Sequence, residues 1–369
     1  MRKPIRVLHV VTHMNRGGLE TMLMNYYRNI DRDQLQFDFL VHRQNRADYD
    51  DEIEALGGKI YRLPPLNPFS LSYRKKLNGF FARHPEYKIV HSHIDCMSAI
   101  PLKAAKRAGV PVRIAHSHNS NQDKNVKYLL KLLYKREIPR YATKLLACSQ
   151  AAGIWMFGDC SFEVLNNAID AEVYHFSQEV RDAQRNAMGI GPDCLIVGHV
   201  GRFSPQKNHE FLIDIFNQLH RRRKSVLLLV GDGELRGAVQ DKARKLDIDK
   251  CTIFTGICKD VSRMMQAMDV FVFPSHNEGL PLTIVEAQAA GLPCLISDAV
   301  PIECKLTDLV EQIPLANNAE EWAQKVLQVS SRVRVDTYEK IKKSGFDVKN
   351  NAKVLLALYQ REFDRCQAN

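Results

Sequence analysis

Two carboxylates bracket the stretch of the chain with the most chemical content: Glu278-Gly279-Leu280-Pro281-Leu282-Thr283-Ile284-Val285-Glu286, directly after the apolar run Val270–Phe273. The run reads as a strand. Pro281 near the front, with Gly291 and Pro293 behind, predicts a helix from about Leu280 to Ala290. A helix start carries unpaired N–H groups and a partial positive charge, which suit a diphosphate. Carboxylates beside a diphosphate are repelled by it, so Glu278 and Glu286 make better sense as acceptors from sugar hydroxyls. An acidic helix start with one solvated glutamate is the plainer alternative. Gly279, which leaves room for a ligand, and the apolar character of the helix argue against it.

A second segment, Gly201-Arg202-Phe203-Ser204-Pro205-Gln206-Lys207-Asn208, follows the strand-like run Leu195–Val200. Arg202 offers a planar fork for phosphate oxygens and Lys207 a compact charge. Taken alone it reads equally as a solvated loop; the glutamate segment in the same half of the chain gives it weight. Gly17-Gly18-Leu19-Glu20, after the first strand, lets backbone approach a ligand at a helix start, and a tight strand-to-helix turn explains it as well. Gly231-Asp232-Gly233 is weaker, because Arg236 stands where a dinucleotide fingerprint needs glycine. Two strand ends carry histidine pairs, His91-Ser92-His93 and His116-Ser117-His118, each pair sharing a strand face. No carboxylate or cysteine pattern nearby completes a coordination sphere, so no metal site is expected.

These segments need strand ends to hold them, and the chain supplies strands at regular intervals. Candidates in the first half are 6–11, 37–42, 59–63, 89–93, 112–116, 144–148 and 163–165. In the second half they are 195–200, 226–230, 252–255, 270–273 and 294–297. Alternation with helical patterns predicts an α/β chain of two Rossmann-like units, and 369 residues are enough for two cores. A polar, strand-poor stretch from Glu172 to Asp193 reads as the connection, with the boundary near Tyr174. The expected domains are 1–174 and 175–351. Val354, Leu355, Leu358 and Phe363 give the C-terminal segment a helical apolar spacing.

Composition narrows the class. The net charge of +10 favours an anionic partner, and the basic residues are not interleaved with an aromatic stacking platform, which disfavours nucleic acid. Nine scattered cysteines read as reduced thiols in a cytoplasmic protein. No apolar run is long enough to span a bilayer. Lys124, Lys127, Lys131 and Lys135 share one face of a basic amphipathic helix over 122–144 with Leu129, Leu130, Leu132 and Leu133. Either those leucines enter the first core or the helix lies on an anionic membrane surface; the net charge favours peripheral membrane contact.

Together the segments resemble glycosyltransferase family 4, in particular members that build bacterial exopolysaccharide or capsule. The resemblance covers essentially the whole chain. It rests on Gly17-Gly18-x-Glu20, Asn167-Ala168-Ile169-Asp170, Gly201-Arg202 with Lys207-Asn208, and the Glu278/Glu286 pair. Alanine at 168 replaces the family's usual glycine. The resemblance implies a GT-B fold, two Rossmann-like domains facing across a cleft, with 352–369 crossing back onto the first. It implies retaining, metal-independent transfer of a hexose or N-acetylhexosamine from a UDP-sugar to a lipid-linked or glycan acceptor, with no cofactor beyond the donor substrate. Arg202 and Lys207 would clamp the diphosphate, Glu286 would hold the ribose, and Glu278 would contact the transferred sugar. The amides of Gly279, Leu280, Leu282 and Thr283, with Gly17 and Gly18, would line the donor, and either His116 or His118 is the first-domain histidine at the active centre. Rival readings are a nucleotide-sugar epimerase of the same architecture, which would need no acceptor, and a non-catalytic nucleotide-sugar-binding subunit, which would bind donor without turnover.

Overall fold

The computed structural model describes residues 4–119 and 128–367. They divide into two compact units, one formed by Met1–Ala168 with Val348–Asn369 and the other by Ile169–Asp347. In the first, β1 (Ile5–Val11), β2 (Leu35–Val41), β3 (Ile60–Arg62), β4 (Ile89–Ser92), β5 (Val112–Ser117), β6 (Lys144–Ala147) and β7 (Glu163–Val164) form a parallel sheet in the order β3-β2-β1-β4-β5-β6-β7. In the second, β8 (Leu195–Val200), β9 (Ser225–Val230), β10 (Thr252–Gly256), β11 (Val270–Phe273), β12 (Cys294–Ser297) and β13 (Val310–Ile313) form a parallel sheet in the order β10-β9-β8-β11-β12-β13. Each order reverses beside its first strand, so each unit is doubly wound, the topology in which ligands bind beyond the carboxyl ends of the strands.

Parallel sheets are covered on both faces, which is why their strands read as continuous apolar runs. All six residues of β8 and all four of β11 and of β12 are buried. In the second unit Leu212, Phe216, Leu227, Leu229, Val270, Val272 and Trp322 pack into one cluster. Burying each such side chain contributes about 1.5–3 kcal/mol.

Four expectations need correction. The stretch 172–193 is no free linker: it holds the helices Ala171–Tyr174 and Gln178–Ala187. Arg181 and Arg185 of the second both pair with Asp269, at 2.5 and 3.2 Å, fastening it to the second unit. Strand β13 was missed because Val-Glu-Gln-Ile is short and half polar. The glutamate-bearing helix runs Leu282–Ala289, with Pro281 as its N-cap in extended conformation rather than its first residue. In the terminal helix Val348–Gln367, Leu355, Leu358 and Tyr359 are buried but Val354 is 58% exposed, so the buried stripe is narrower and shifted toward Tyr359. That helix belongs to the first unit.

Among the described residues no helix is long and apolar enough to cross a membrane, and all nine cysteines are unpaired. Lys124 and Lys127 lie outside the described residues. Lys131 and Lys135 lie on the helix Tyr128–Tyr141, whose Leu129 and Leu133 are 73% and 61% exposed. Ile138 of that helix is buried, and Leu130 and Leu132 are half-buried.

Candidate active site

In the second unit, three loops leave the carboxyl ends of β8, β9 and β11 and are stitched to one another. After β8, Pro205–Lys207 forms a single tight turn, and Asn208, at φ 54°, turns the chain into the helix His209–His220. This places Lys207 Nζ 2.7 Å from Glu278 Oε1, and Ser275 Oγ donates to the same oxygen at 2.5 Å. Lys207 also lies over the Phe273 ring at 4.6 Å. Gln206 O accepts from Ser275 Oγ at 3.0 Å and from the His276 amide at 2.8 Å, while Gln206 Nε2 donates to Asn277 O at 2.8 Å. The Lys207–Glu278 pair is mostly buried, and Glu278 is 7% exposed at its side chain. Arg202 differs. Its side chain is 73% exposed and, among the described residues, meets only an exposed partner, Glu234, at 3.0 Å, which leaves the guanidinium available to an anion.

The glycines after β9, weak in the sequence, have a structural reason. Gly231 sits at φ 134°, where a Cβ would lie 2.1 Å from Gly201 O, and a Cβ on Gly233 would lie 2.5 Å from Phe203 O. They let the β9 loop pack against the Gly201–Phe203 turn.

Glu286 lies in the buried part of its helix. Burial pushes its carboxyl up to about 7, against a smaller opposing hydrogen bond with the Tyr174 side chain. At the start of the same helix, Thr283 Oγ1 is buried and has no hydrogen-bond partner among the described residues. Lys207 follows β8, and Glu278, Thr283 and Glu286 follow β11, on the loop and helix beyond the carboxyl ends of these neighbouring strands.

In the first unit, Gly17 caps the helix Gly18–Asn29, and Glu20 folds back so that a Cβ on Gly17 would meet its Oε2 at 2.4 Å. A Cβ on Gly18 would meet nothing within 4 Å, so no internal contact demands that glycine. Burial raises the Glu20 carboxyl to about 7.

The two histidine pairs are neighbours in space, joined by His9, which the sequence reading missed. His9 and His91 are register partners on β1 and β4, and His116 lies on β5 beside them. His9 Nδ1 lies 3.0 Å from His93 Nε2, His93 Nδ1 lies 2.9 Å from His118 Nε2, and His91 Nδ1 lies 2.6 Å from the Tyr359 hydroxyl. Burial drives His9 and His118 down to about 3 and His91, His93 and His116 well below their usual range, so all five are neutral near pH 7. Two trios, His9-His91-His93 and His93-His116-His118, bring ring nitrogens close enough to hold a metal ion. In each trio the third imidazole comes from a neighbouring strand. His116 is fully within the sheet, 2% exposed, whereas His118 lies one residue past the end of β5, where ligands bind. Asp95, just past β4 at φ 48°, accepts from Asn119 Nδ2 at 3.1 Å and was also unforeseen; burial raises its carboxyl.

Comparison with known proteins agrees with this architecture. Residues 16–173 match the family described as Glycosyltransferase Family 4, and residues 194–332 match Glycosyl transferases group 1. A putative glycosyltransferase EpsF of Bacillus subtilis (strain 168) is 37% identical over 371 residues, covering 96% of each chain. The UDP-Gal:alpha-D-GlcNAc-diphosphoundecaprenol alpha-1,3-galactosyltransferase of Escherichia coli is 26% identical over 80% of this chain and 79% of its own. Among solved structures, Anabaena Alr3699/HepE in complex with UDP and glucose superimposes with a TM-score of 0.75 at 18% identity, over 99% of this chain and 100% of that one. The chain is therefore a glycosyltransferase of GT-B fold and belongs to glycosyltransferase family 4.

Proposed function

We propose that this chain transfers a hexose or N-acetylhexosamine from a nucleoside diphosphate sugar, UDP-linked, to a lipid-linked or glycan acceptor in polysaccharide synthesis, with retention at the anomeric carbon. The observation that carries the reading is the Lys207–Glu278–Ser275 cluster at the ends of β8 and β11, beside a helix start that holds an unpartnered Thr283 hydroxyl. The donor reading is supported by HepE, crystallised with UDP, and by the Escherichia coli relative, whose name states a UDP-galactose donor and a diphosphoundecaprenol-linked acceptor.

In this reading Arg202, exposed and paired with the exposed Glu234, turns its fork to the diphosphate. Lys207, tied to Glu278, adds a fixed charge beside the leaving oxygen, and the amides of Gly279, Leu280, Leu282 and Thr283 complete an electrostatic cradle. Pro281 lacks an N–H and contributes none. Glu278 accepts from a hydroxyl of the transferred sugar and Glu286 from the ribose. Gly18, with no internal contact, leaves space for the donor in the first unit. His118 rather than His116 is the active-centre histidine, because it lies past the strand end. Charge developing on the leaving diphosphate is met by these cations and dipoles, so transfer should persist in EDTA. Restoration of lost activity by Mg²⁺ or Mn²⁺ would contradict that step.

The exposed Leu129 and Leu133, on the helix that also carries the half-buried Lys131 and Lys135, belong to the same proposal as a peripheral contact with an anionic bilayer. Co-sedimentation with anionic vesicles, lost when Lys131 and Lys135 become Gln, tests it; binding that is equal in both proteins would sink it. The function itself is tested by screening nucleoside diphosphate sugars for thermal stabilisation, since a ligand that binds the folded state raises its stability by mass action. A UDP-sugar should stabilise the protein, and stabilisation by none would contradict the donor reading.

A further inference from the structure

A neutral imidazole has one N–H and one lone pair, so two rings that meet nitrogen to nitrogen must divide the roles of donor and acceptor. His93 meets a ring on each side: its Nδ1 is 2.9 Å from His118 Nε2 and its Nε2 is 3.0 Å from His9 Nδ1. With a single proton of its own, His93 donates to one neighbour and accepts from the other. The three rings therefore point their hydrogen bonds the same way along the chain. Either His9 donates to His93 and His93 to His118, leaving an N–H on His118 Nδ1, or every bond is reversed and the spare N–H sits on His9 Nε2.

We infer that His93 is a positioning residue for the active-centre histidine: braced by His9, it holds the His118 ring in one orientation and keeps the free proton on His118 Nδ1. The surroundings of the two ends favour that direction. In the reverse arrangement the N–H of His9 Nε2 would be buried without an acceptor, since that nitrogen has no partner among the described residues. His118 Nδ1 is likewise without a partner there, but an acceptor lies beside that ring: Asn167 Oδ1, itself buried and unpartnered, belongs to a side chain that interacts with the His118 ring. The neutral His118 ring then has one N–H, which a hydroxyl of the reacting sugar can accept in place of Asn167 Oδ1. The brace is rigid: His9 packs on Phe37 with ring centroids 4.1 Å apart, and both rings of the His9–His93 contact are buried. A second-tier ring that sets the tautomer of a first-tier histidine commonly matters to activity as much as a ligand does.

The inference rests on the reading of His118 as the active-centre histidine, and a set of variants separates the two. His118→Ala tests that reading: a loss of kcat/KM of about tenfold or more is expected, and full activity would sink the reading rather than the brace. With that loss established, His93→Gln and His93→Asn divide the brace. Asn places its amide near the position of Nδ1 and keeps a partner for His118, while Gln reaches the position of Nε2 and keeps only His9. Transfer kcat should fall about tenfold in His93→Gln, with donor KM within about twofold, and recover to within about threefold of wild type in His93→Asn. A merely structural role would lower thermal stability in both and leave kcat alike; equal kcat in the two variants overturns the inference. Nitrogen-15 spectra of histidine-labelled protein supply an independent reading. His118 should carry its proton on Nδ1 in wild type and lose that preference in His93→Gln, and a wild-type proton on Nε2 overturns the stated direction. Zn²⁺ restoring activity to chelator-treated wild type would make the trio a metal site and likewise overturn it.

Discussion

The strand ends of the two units solve opposite problems. In the second unit the polar groups satisfy each other: Lys207, Ser275 and Glu278 share one oxygen, and Gln206 ties the loop after β8 to that after β11. The charges are in place before any ligand arrives, which is the arrangement that lowers a barrier without reorganisation. In the first unit the five imidazoles are stripped of charge by burial, and His9 Nε2, His91 Nε2, both nitrogens of His116 and His118 Nδ1 have no partner among the described residues. One unit holds paired, fixed charge at its strand ends and the other neutral, directional rings. On the function proposed above, a diphosphate would meet preassembled ion pairs, whereas sugar hydroxyls would meet rings whose protons are set from behind.

The largest expected effect falls on the fixed charge. Lys207→Ala should lower kcat/KM by about 10²- to 10³-fold, about 2.7–4 kcal/mol by analogy with loss of a preorganised donor. It should also destabilise the fold, because Glu278, 7% exposed, loses its cation. Arg202→Ala should cut activity comparably yet leave thermal stability within about 0.5 kcal/mol, since its pair is exposed. Steady-state kinetics and melting curves on the two variants measure the split; equal stability losses would erase the distinction between clamp and anchor.

Next comes Glu286. Its folded pKa, about 7, lies above the ordinary 4.5, so the protonated carboxyl is the form the fold prefers. Relative to Glu286→Gln, wild type is therefore most stable below pH 4.5, and that advantage is lost as pH rises through about 7, by about 3 kcal/mol in all. Denaturant titrations of both proteins between pH 4 and 8 check it, and parallel curves would count against the buried carboxyl.

Gly231→Ala, with its Cβ aimed at Gly201 O, should cost about 1–3 kcal/mol and loosen the loop that carries Arg202. Smallest is Tyr359→Phe in the first unit, which removes the hydroxyl beside His91 Nδ1 and should cost about 1 kcal/mol by melting. A neutral result there would show that the His91–Tyr359 contact adds nothing to the first unit.

What could be read in the chain was whatever a single strand and its following loop encode. Glu278, Glu286, Arg202 and Lys207 each follow a fully buried apolar strand, and doubly wound sheets put ligands at those ends, so the grouping of these residues was legible. The histidine chain was not, because His9 and His93 are 84 residues apart and only sheet register brings them together. The stretch 172–193 looked like a linker because its anchors, Arg181 and Arg185, are polar, and their partner Asp269 lies far along the chain. The four-residue β13 escaped because an edge strand half open to solvent carries no continuous apolar run.

In the proposed function, the cations of Lys207 and Arg202 drive departure of a nucleoside diphosphate from a sugar that then reaches an acceptor. The most direct measurement is a transfer assay with UDP-sugars and a diphosphate-linked polyprenol glycan acceptor, following released UDP and glycosylated acceptor together in wild type, Lys207→Ala and Arg202→Ala. Equimolar UDP and glycosylated product are expected in wild type, with both reduced about 10²-fold or more in each variant. Undiminished transfer in the two variants, or conversion of donor to an epimer without acceptor, would contradict it.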